Sequence, residues 1–464
     1  MEIGMRLKFL DRENEIKRLS LAFAAPEGTF CCLYGRRRCG KSRLLREILT
    51  EKRSIYFMAD EREPTIQRSA LATSISGLLP GFDSVAYPDW DSLFHRWWQD
   101  SAPGTILAID EFPYLVKTSS ELPSILQRLV DQYQQKPVHL IVAGSSQRMM
   151  MGMVLDANAP LYGRAREIIK INPLRAGWIG KALKLRDISK CLDAYAFWGG
   201  IPHYWELANE RGGGWAAVVD LVLDPMGVLH NEPTRLLLDD LKETTQAASI
   251  LSLIGQGCHR ISEIAARLNK PTTSLTRPMQ RLIELGLIKR ERPFGASPRK
   301  GKKALYRLDD PFLAFWFRYV EPNRSRLEIG ATAAVQKEIQ AHFNIYRGQT
   351  WESLVRDAVP LLSIEDKQWL PAHRWWGAGK DKTPLEIDIL SESSDRQWLL
   401  AGEVKSTLKS QMTDGVLAKL KQKTDQLPMA HNYSGIIHKL FVVDGASHDQ
   451  RRIVSGNAVF SALK

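Results

Sequence analysis

The sequence of 464 residues contains no apolar run approaching the ~20 residues that a helical membrane span requires. Met1 to Leu19 is charged throughout and lacks the apolar core of a secretory signal. We therefore expect a cytoplasmic protein with no membrane partner. Cysteine is scarce: Cys31, Cys32, Cys39, Cys191 and Cys258 make an odd count with no C-x-x-C spacing. That argues against a zinc site or a disulfide framework and fits a reducing compartment. No internal repeat is visible, and acids are outnumbered, 52 against 64 lysines and arginines, for a net charge of +12. Such a balance is the footprint of a polyanion-binding protein, or simply of a basic surface.

What is present is an ordinary globular composition, 44% hydrophobic and 25% charged, with length for about three domains. Up to about residue 235, short apolar runs alternate with helix-like segments, the pattern of a parallel α/β sheet. Phe30–Tyr34, Ser54–Met58, Thr105–Ile109 and His139–Ala143 read as continuous rather than alternating runs, as strands buried on both faces do.

Between the first of these strands and a helix-like run from Arg43 to Leu49 stands Gly35-Arg36-Arg37-Arg38-Cys39-Gly40-Lys41-Ser42, a complete G-x-x-x-x-G-K-[ST] loop. Strand, loop and helix place successive backbone N–H groups around a phosphate and aim a helix N-terminus at it. Lys41 can reach the β- and γ-phosphates, and the Ser42 hydroxyl can ligate Mg²⁺. Arg36, Arg37 and Arg38 are expected to point away from the phosphate and pair with acids nearby. Cys39, inside an anion-binding loop, is expected either as a reactive thiolate that nucleotide protects or as a buried, inert thiol.

The third strand runs into Asp110-Glu111. In an ATPase site the first acid holds a Mg²⁺-bound water or Ser42, and the second polarises the attacking water. The fourth strand ends in Gly144-Ser145-Ser146, where Ser145 or Ser146 can orient the water or read the γ-phosphate, or simply close a turn. Leu161-Tyr162-Gly163-Arg164-Ala165-Arg166 offers two arginines, of which Arg164 is our candidate for neutralising transition-state charge in cis or across a subunit boundary.

These motifs, with Phe9-Leu10-Asp11-Arg12-Glu13-Asn14-Glu15 and Trp198-Gly199-Gly200-Ile201-Pro202, resemble the archaeal-type P-loop ATPases related to the STAND and origin-recognition branches of AAA-like proteins. The resemblance implies ATP as the nucleotide. It also implies that the segment around Phe9–Glu15, with Arg12, lines the adenine pocket and that Gly199–Pro202, with Pro202, is a lid that closes over the nucleotide.

Further along, Ile261–Leu268 and Thr273–Leu285 have apolar residues at helical spacing around the turn Asn269-Lys270-Pro271. Pro278 suggests that the second helix starts nearer Arg277. Gly286–Arg290 then opens a hairpin whose tip carries Arg292, Arg299, Lys300, Lys302 and Lys303. This resembles a winged helix, in which Thr273, Ser274, Thr276, Arg277 and Arg281 enter a DNA groove while wing cations meet phosphates. Use as a protein–protein module is the alternative.

In the last part, Leu385–Leu390 alternates, so Glu386 and Asp388 share a face, as do Glu403 and Lys405 two apart in Gln397–Lys405. Asp388 and Glu403 can hold Mg²⁺ while Lys405 positions a hydroxide or stabilises the phosphorane. This D…E-x-K layout resembles the restriction-endonuclease-like fold, which implies that Glu352 is the helix acid of the motif.

The expected fold is α/β, with a P-loop parallel sheet, a helical lid, a winged helix and a C-terminal restriction-endonuclease-like domain. The expected segments are 1–175 (ATPase core), 176–239 (lid), 240–310 (winged helix), 311–345 (helical linker) and 346–464 (nuclease-like). The expected activity is Mg²⁺-dependent ATP hydrolysis acting on DNA, with a homo-oligomer or protein partner open. The alternative is a regulatory ATP-dependent binder with slow hydrolysis and an inactive nuclease-like tail.

Overall fold

The computed structural model describes residues 7–50, 52–154, 156–240, 244–296, 304–444 and 451–464. The chain divides into two compact units, residues 11–173 and the remainder.

The first unit is built on five strands: β1 (Thr29–Tyr34), β2 (Ser54–Met58), β3 (Ile106–Asp110), β4 (His139–Gly144) and β5 (Ala165–Lys170). Every pairing is parallel, in the order β2-β3-β4-β1-β5. All residues of β3 and β4 are buried, and all of β1 but its last, so these strands are sealed on both faces by the crossover helices that parallel pairing demands. One such helix, Trp90–Asp100, starts where the Asp89 carboxylate accepts the Ser92 N–H (2.8 Å) and packs Trp90, Phe94 and Trp97 into the core. Because the strands run the same way, the turns after Tyr34, Asp110 and Gly144 open at one edge of the sheet, on three adjacent strands. The sequence reading missed β5. Its residues Ala-Arg-Glu-Ile-Ile-Lys lie at the sheet edge, mostly half-exposed, and so carry no continuous apolar run.

In the second unit, helices between Ile179 and Asp240 surround aromatic contacts of Phe197 with Trp198, Trp215, Phe315 and Phe343. Three helices follow, Thr244–Gly255, Ile261–Arg267 and Thr272–Glu284, and then an antiparallel hairpin of β6 (Ile288–Glu291) and β7 (Leu305–Leu308). The third helix corrects the sequence reading, because Pro278 lies inside it rather than in its first turn. The bond Pro278 cannot make would go to the carbonyl of Ser274, an exposed residue, where solvent can replace it.

A single helix, Thr332–Ala358, then leads into β8 (His373–Ala378), β9 (Pro384–Glu392), β10 (Trp398–Thr407), β11 (Gly435–Asp444) and β12 (Ile453–Ser455). The sheet order is β12-β11-β10-β9-β8; β10, β11 and β12 pair in parallel, while β9 runs antiparallel to both β8 and β10. The helix runs unbroken through the boundary expected at 345/346, because Tyr346, Thr350, Trp351 and Leu354 continue the buried face begun by Val335, Ile339 and Phe343. Phe294, just after β6, is buried in the core of this C-terminal sheet with Trp375, Ile387, Leu390 and Leu399. Its N–H donates to the Arg374 carbonyl (2.9 Å).

Candidate nucleotide and carboxylate–lysine sites

The loop after β1 has the backbone that its glycines permit. Gly35 sits at φ +153°, where a Cβ would lie 2.4 Å from the Ile171 carbonyl oxygen, so only glycine fits. Gly40, at φ +92°, caps the helix Lys41–Leu49. Lys41 is 5% exposed, and its ammonium donates to the carbonyl oxygens of Gly35 (2.8 Å) and Arg36 (3.1 Å). The positive charge is thus folded back onto its own loop. Arg37 donates to the phenol of Tyr114 (2.9 Å). Arg12 lies below the loop: it is 5% exposed and donates to the carbonyls of Cys39 (3.2 Å) and Asn172 (2.6 Å) and to Glu15 (3.1 Å). It therefore ties the phosphate loop to the end of β5.

Asp110 and Glu111 stand at the end of β3, with β4 between them and the phosphate loop. Asp110 is fully buried; its Oδ1 accepts the Glu111 N–H (2.9 Å) and its Oδ2 the Tyr56 hydroxyl (2.8 Å). Glu111 has the left-handed backbone (φ +51°) uncommon for a non-glycine residue, a strain of order 1–3 kcal/mol that clusters at functional sites. Its Oε2 accepts both the N–H (3.2 Å) and the hydroxyl (2.8 Å) of Ser145. So the structure brings together the loop, Ser145 and the acid pair, and it gives Ser145 a partner the sequence did not indicate. Tyr56 was missed altogether, because its role depends on β2 lying beside β3.

Arg164 is corrected as an arginine acting in cis. The register pairs Phe30 with Ala165 and Tyr34 with Lys170, so Arg164 precedes β5 at the opposite edge of the sheet from the loop. Six strand steps, from the level of Thr29 to Gly35, separate them by roughly 20 Å. Its guanidinium is moreover held on Asp131 by three hydrogen bonds of 2.9–3.0 Å. Pro202 opens the helix Pro202–Asn209 in the second unit.

Cys39 is fully buried, which opposes the reactivity its charged surroundings suggest. Burial also pushes the Cys31 thiol up to about 12 and the Cys191 thiol up to about 11. Cys258 is the one cysteine with intermediate exposure. A disulfide reagent added to the native protein is therefore expected to titrate one thiol per chain quickly, and Cys258→Ser to remove that phase. A second fast thiol that ATP protects would restore Cys39 as the reactive residue.

On the helix Thr272–Glu284, Leu275, Met279 and Leu282 are buried while Thr273, Ser274, Thr276, Arg277 and Gln280 are exposed, and Arg281 is half-buried. The expected hairpin-tip cations Arg299, Lys300, Lys302 and Lys303 lie outside the described residues.

In the C-terminal sheet the second set of residues converges. Asp388 on β9 accepts the Val404 N–H through Oδ2 (3.0 Å). Burial, and next the charge of Glu403, raise its carboxyl above the ordinary value. Glu352 faces the same cluster from the helix Thr332–Ala358, paired with Arg356 (3.6 Å) and likewise raised by burial and by Asp388. Glu403 receives Lys405 on one oxygen (2.8 Å) and Lys423 on the other (2.9 Å). Burial works to raise it, but the two ammonium groups outweigh burial and hold it below its ordinary value. Lys423, on the helix Thr413–Asp425, is the member that sequence spacing did not reveal. Among the described residues, no group of three or more His, Cys, Asp or Glu is placed to hold a metal.

The parallel sheet and its glycine-framed loop define an ATPase of the P-loop class. Residues 9–206 match a family model described as an ATPase domain predominantly from Archaea, and residues 316–416 match one described as Archaea bacterial proteins of unknown function. The uncharacterized protein MJECL04 of Methanocaldococcus jannaschii is 31% identical over 401 residues, 86% of this chain and 87% of its own length. The chain belongs to the family of that protein, with the archaeal-type ATPase domain as its N-terminal part. Among solved structures, the Walker-type ATPase PABY2304 of Pyrococcus abyssi matches with a TM-score of 0.52 and 19% identity, over 68% of this chain and 99% of that one. The Aeropyrum pernix ORC2 protein, solved in ADPNP–ADP complexes, matches at 0.46 and 12%, over 73% and 98%. The ATPase match extends through Pro202, so the Trp198–Pro202 segment falls within the ATPase domain of the family. No helix among the described residues is long and apolar enough to cross a membrane.

Proposed function

We propose that this ATPase is a Mg²⁺-dependent switch that acts on DNA, with a winged helix for docking and a restriction-endonuclease-like tail. The observation that carries the reading is the strand order, which sets the Gly35–Ser42 loop, Ser145 and the Asp110–Glu111 pair on three adjacent strands. Backbone N–H groups from Arg36 to Gly40 cradle the phosphates, and Lys41 turns from its loop carbonyls to them. Ser42 and Asp110 supply hard oxygen donors of the kind Mg²⁺ takes; when bound, the ion neutralises phosphate charge. Glu111 takes the proton of the attacking water once Ser145 yields it. Arg12 fixes the floor of the loop beside the adenine side, Pro202 belongs to the lid, and Arg164 serves a neighbouring subunit if the active form is an oligomer.

The three helices and hairpin support DNA docking through Thr273, Ser274, Thr276, Arg277 and Arg281. The gathering of Glu352, Asp388, Glu403 and Lys405 supports a metal-dependent nuclease, with Asp388 and Glu403 as oxygen donors. A second reading has its own observation: both oxygens of Glu403 are occupied by lysines, so a divalent cation must displace an ammonium. In that reading the tail is an inactive module and ATP hydrolysis only times binding.

One set of reactions separates the two. Supercoiled plasmid with Mg²⁺, with and without ATP, is expected to be nicked by the wild-type chain and not measurably by Lys405→Ala, with ATP turnover of the two proteins alike. No nicking by either protein leaves the regulatory binder, and nicking that survives Lys405→Ala overturns the assignment of cleavage to the carboxylate–lysine cluster.

A further inference from the structure

Asp110 is fully buried, and a carboxylate buried without hydrogen-bond donors is costly. One donor is the Glu111 N–H, inseparable from the turn; the other is the phenol of Tyr56, a choice of side chain. Tyr56 pairs with Ala108 in the β2–β3 register, so its ring leans two residues along to Asp110, on the same face of the sheet. The outer side of that ring is covered by the Arg46 guanidinium, 5.1 Å from the centroid. Arg46 lies on the helix that begins at Lys41, four residues after Ser42, and residues four apart share a helix face. The phenol thus stands between the helix that presents the Ser42 hydroxyl and the strand that presents Asp110.

We propose that Tyr56 is a positioning residue for the Mg²⁺ of the nucleotide site, bracing Asp110 against the Ser42 helix. It touches neither nucleotide nor metal. Its hydroxyl holds one oxygen of Asp110 toward the strand and fixes the orientation of the other. Arg46 keeps the ring in place, so the two protein groups that meet the ion hold their separation before nucleotide arrives. The proposal rests on the assignment of Asp110 to the Mg²⁺ site.

The test measures affinity rather than turnover. Full-length wild type, Tyr56→Phe and Asp110→Asn are titrated with a fluorescent, non-hydrolysable ATP analogue, in EDTA and across a Mg²⁺ series. Tyr56→Phe keeps the ring that Arg46 covers while removing the hydroxyl, and with it the charge-assisted hydrogen bond to Asp110 and the hydroxyl's own contact with the Arg46 guanidinium. Its affinity in EDTA should stay within about twofold of wild type, while its Mg²⁺ half-saturation rises on the order of tenfold. An unchanged half-saturation overturns the proposal. So does an equal loss of affinity with and without Mg²⁺ accompanied by a lower Tm, the signature of a purely structural brace. If Asp110→Asn keeps the wild-type Mg²⁺ dependence, the assignment of Asp110 falls first and takes the proposal with it.

Discussion

Glu111→Gln is expected to bind ATP as tightly as the wild-type chain and to lose turnover by about 10²–10⁴-fold, the range associated with a positioned general base. The amide is nearly the same shape, and its carbonyl oxygen can still accept the N–H and hydroxyl of Ser145. The left-handed backbone at this position therefore survives, and what disappears is the group that takes a proton. Phosphate release under saturating ATP, set beside an equilibrium measurement of nucleotide affinity, isolates that loss. A variant with full turnover would remove Glu111 from the reaction and leave Ser145 without a base to hold.

The second large effect lies in binding. Lys41→Ala removes a buried ammonium that donates to two loop carbonyls and that is the loop's own cation for the β- and γ-phosphates. Charge-assisted hydrogen bonds contribute about 1.5–3 kcal/mol each, so the loss of ATP affinity should be on the order of 100-fold. Gly35 and Arg36 are buried, and their carbonyls lose that donor, which loosens the loop in the nucleotide-free protein as well. Equilibrium binding of ATP in EDTA reads the effect without involving the metal; affinity within threefold of wild type would contradict it.

Much of the ATPase unit is legible in the sequence because β1, β3 and β4 are sealed on both faces and so are written as unbroken apolar runs, each followed by the residues it presents. Where one face meets solvent the record thins. The strand Ala165–Lys170 reads as an ordinary charged segment, yet the chain just past it anchors, at the Asn172 carbonyl, the Arg12 side chain that also holds the Cys39 carbonyl of the phosphate loop. Pairings set by neighbouring strands leave no trace in local spacing. Tyr56 and Asp110 are 54 residues apart, and nothing along the chain joins them. The C-terminal acids were legible because alternation on β9 and β10 fixes which residues share a face. Lys423 was not, since a lysine on a charged helix looks the same whether it meets water or a carboxylate. The long helix through residue 346 shows a further limit: a change in composition marked a boundary where the backbone has none.

The connection between the two strands of the hairpin after the third helix begins with a phenylalanine that fills the interior of the sheet carrying Asp388 and Glu403. Two segments that share an interior are inherited together. The parallel-sheet unit, residues 11–173, is compact by itself. A lineage could not trade the hairpin for another without reopening the pocket that Phe294 occupies. Related chains are therefore expected to keep or lose the helix–hairpin module and the C-terminal sheet as a pair, whatever stands in front of them.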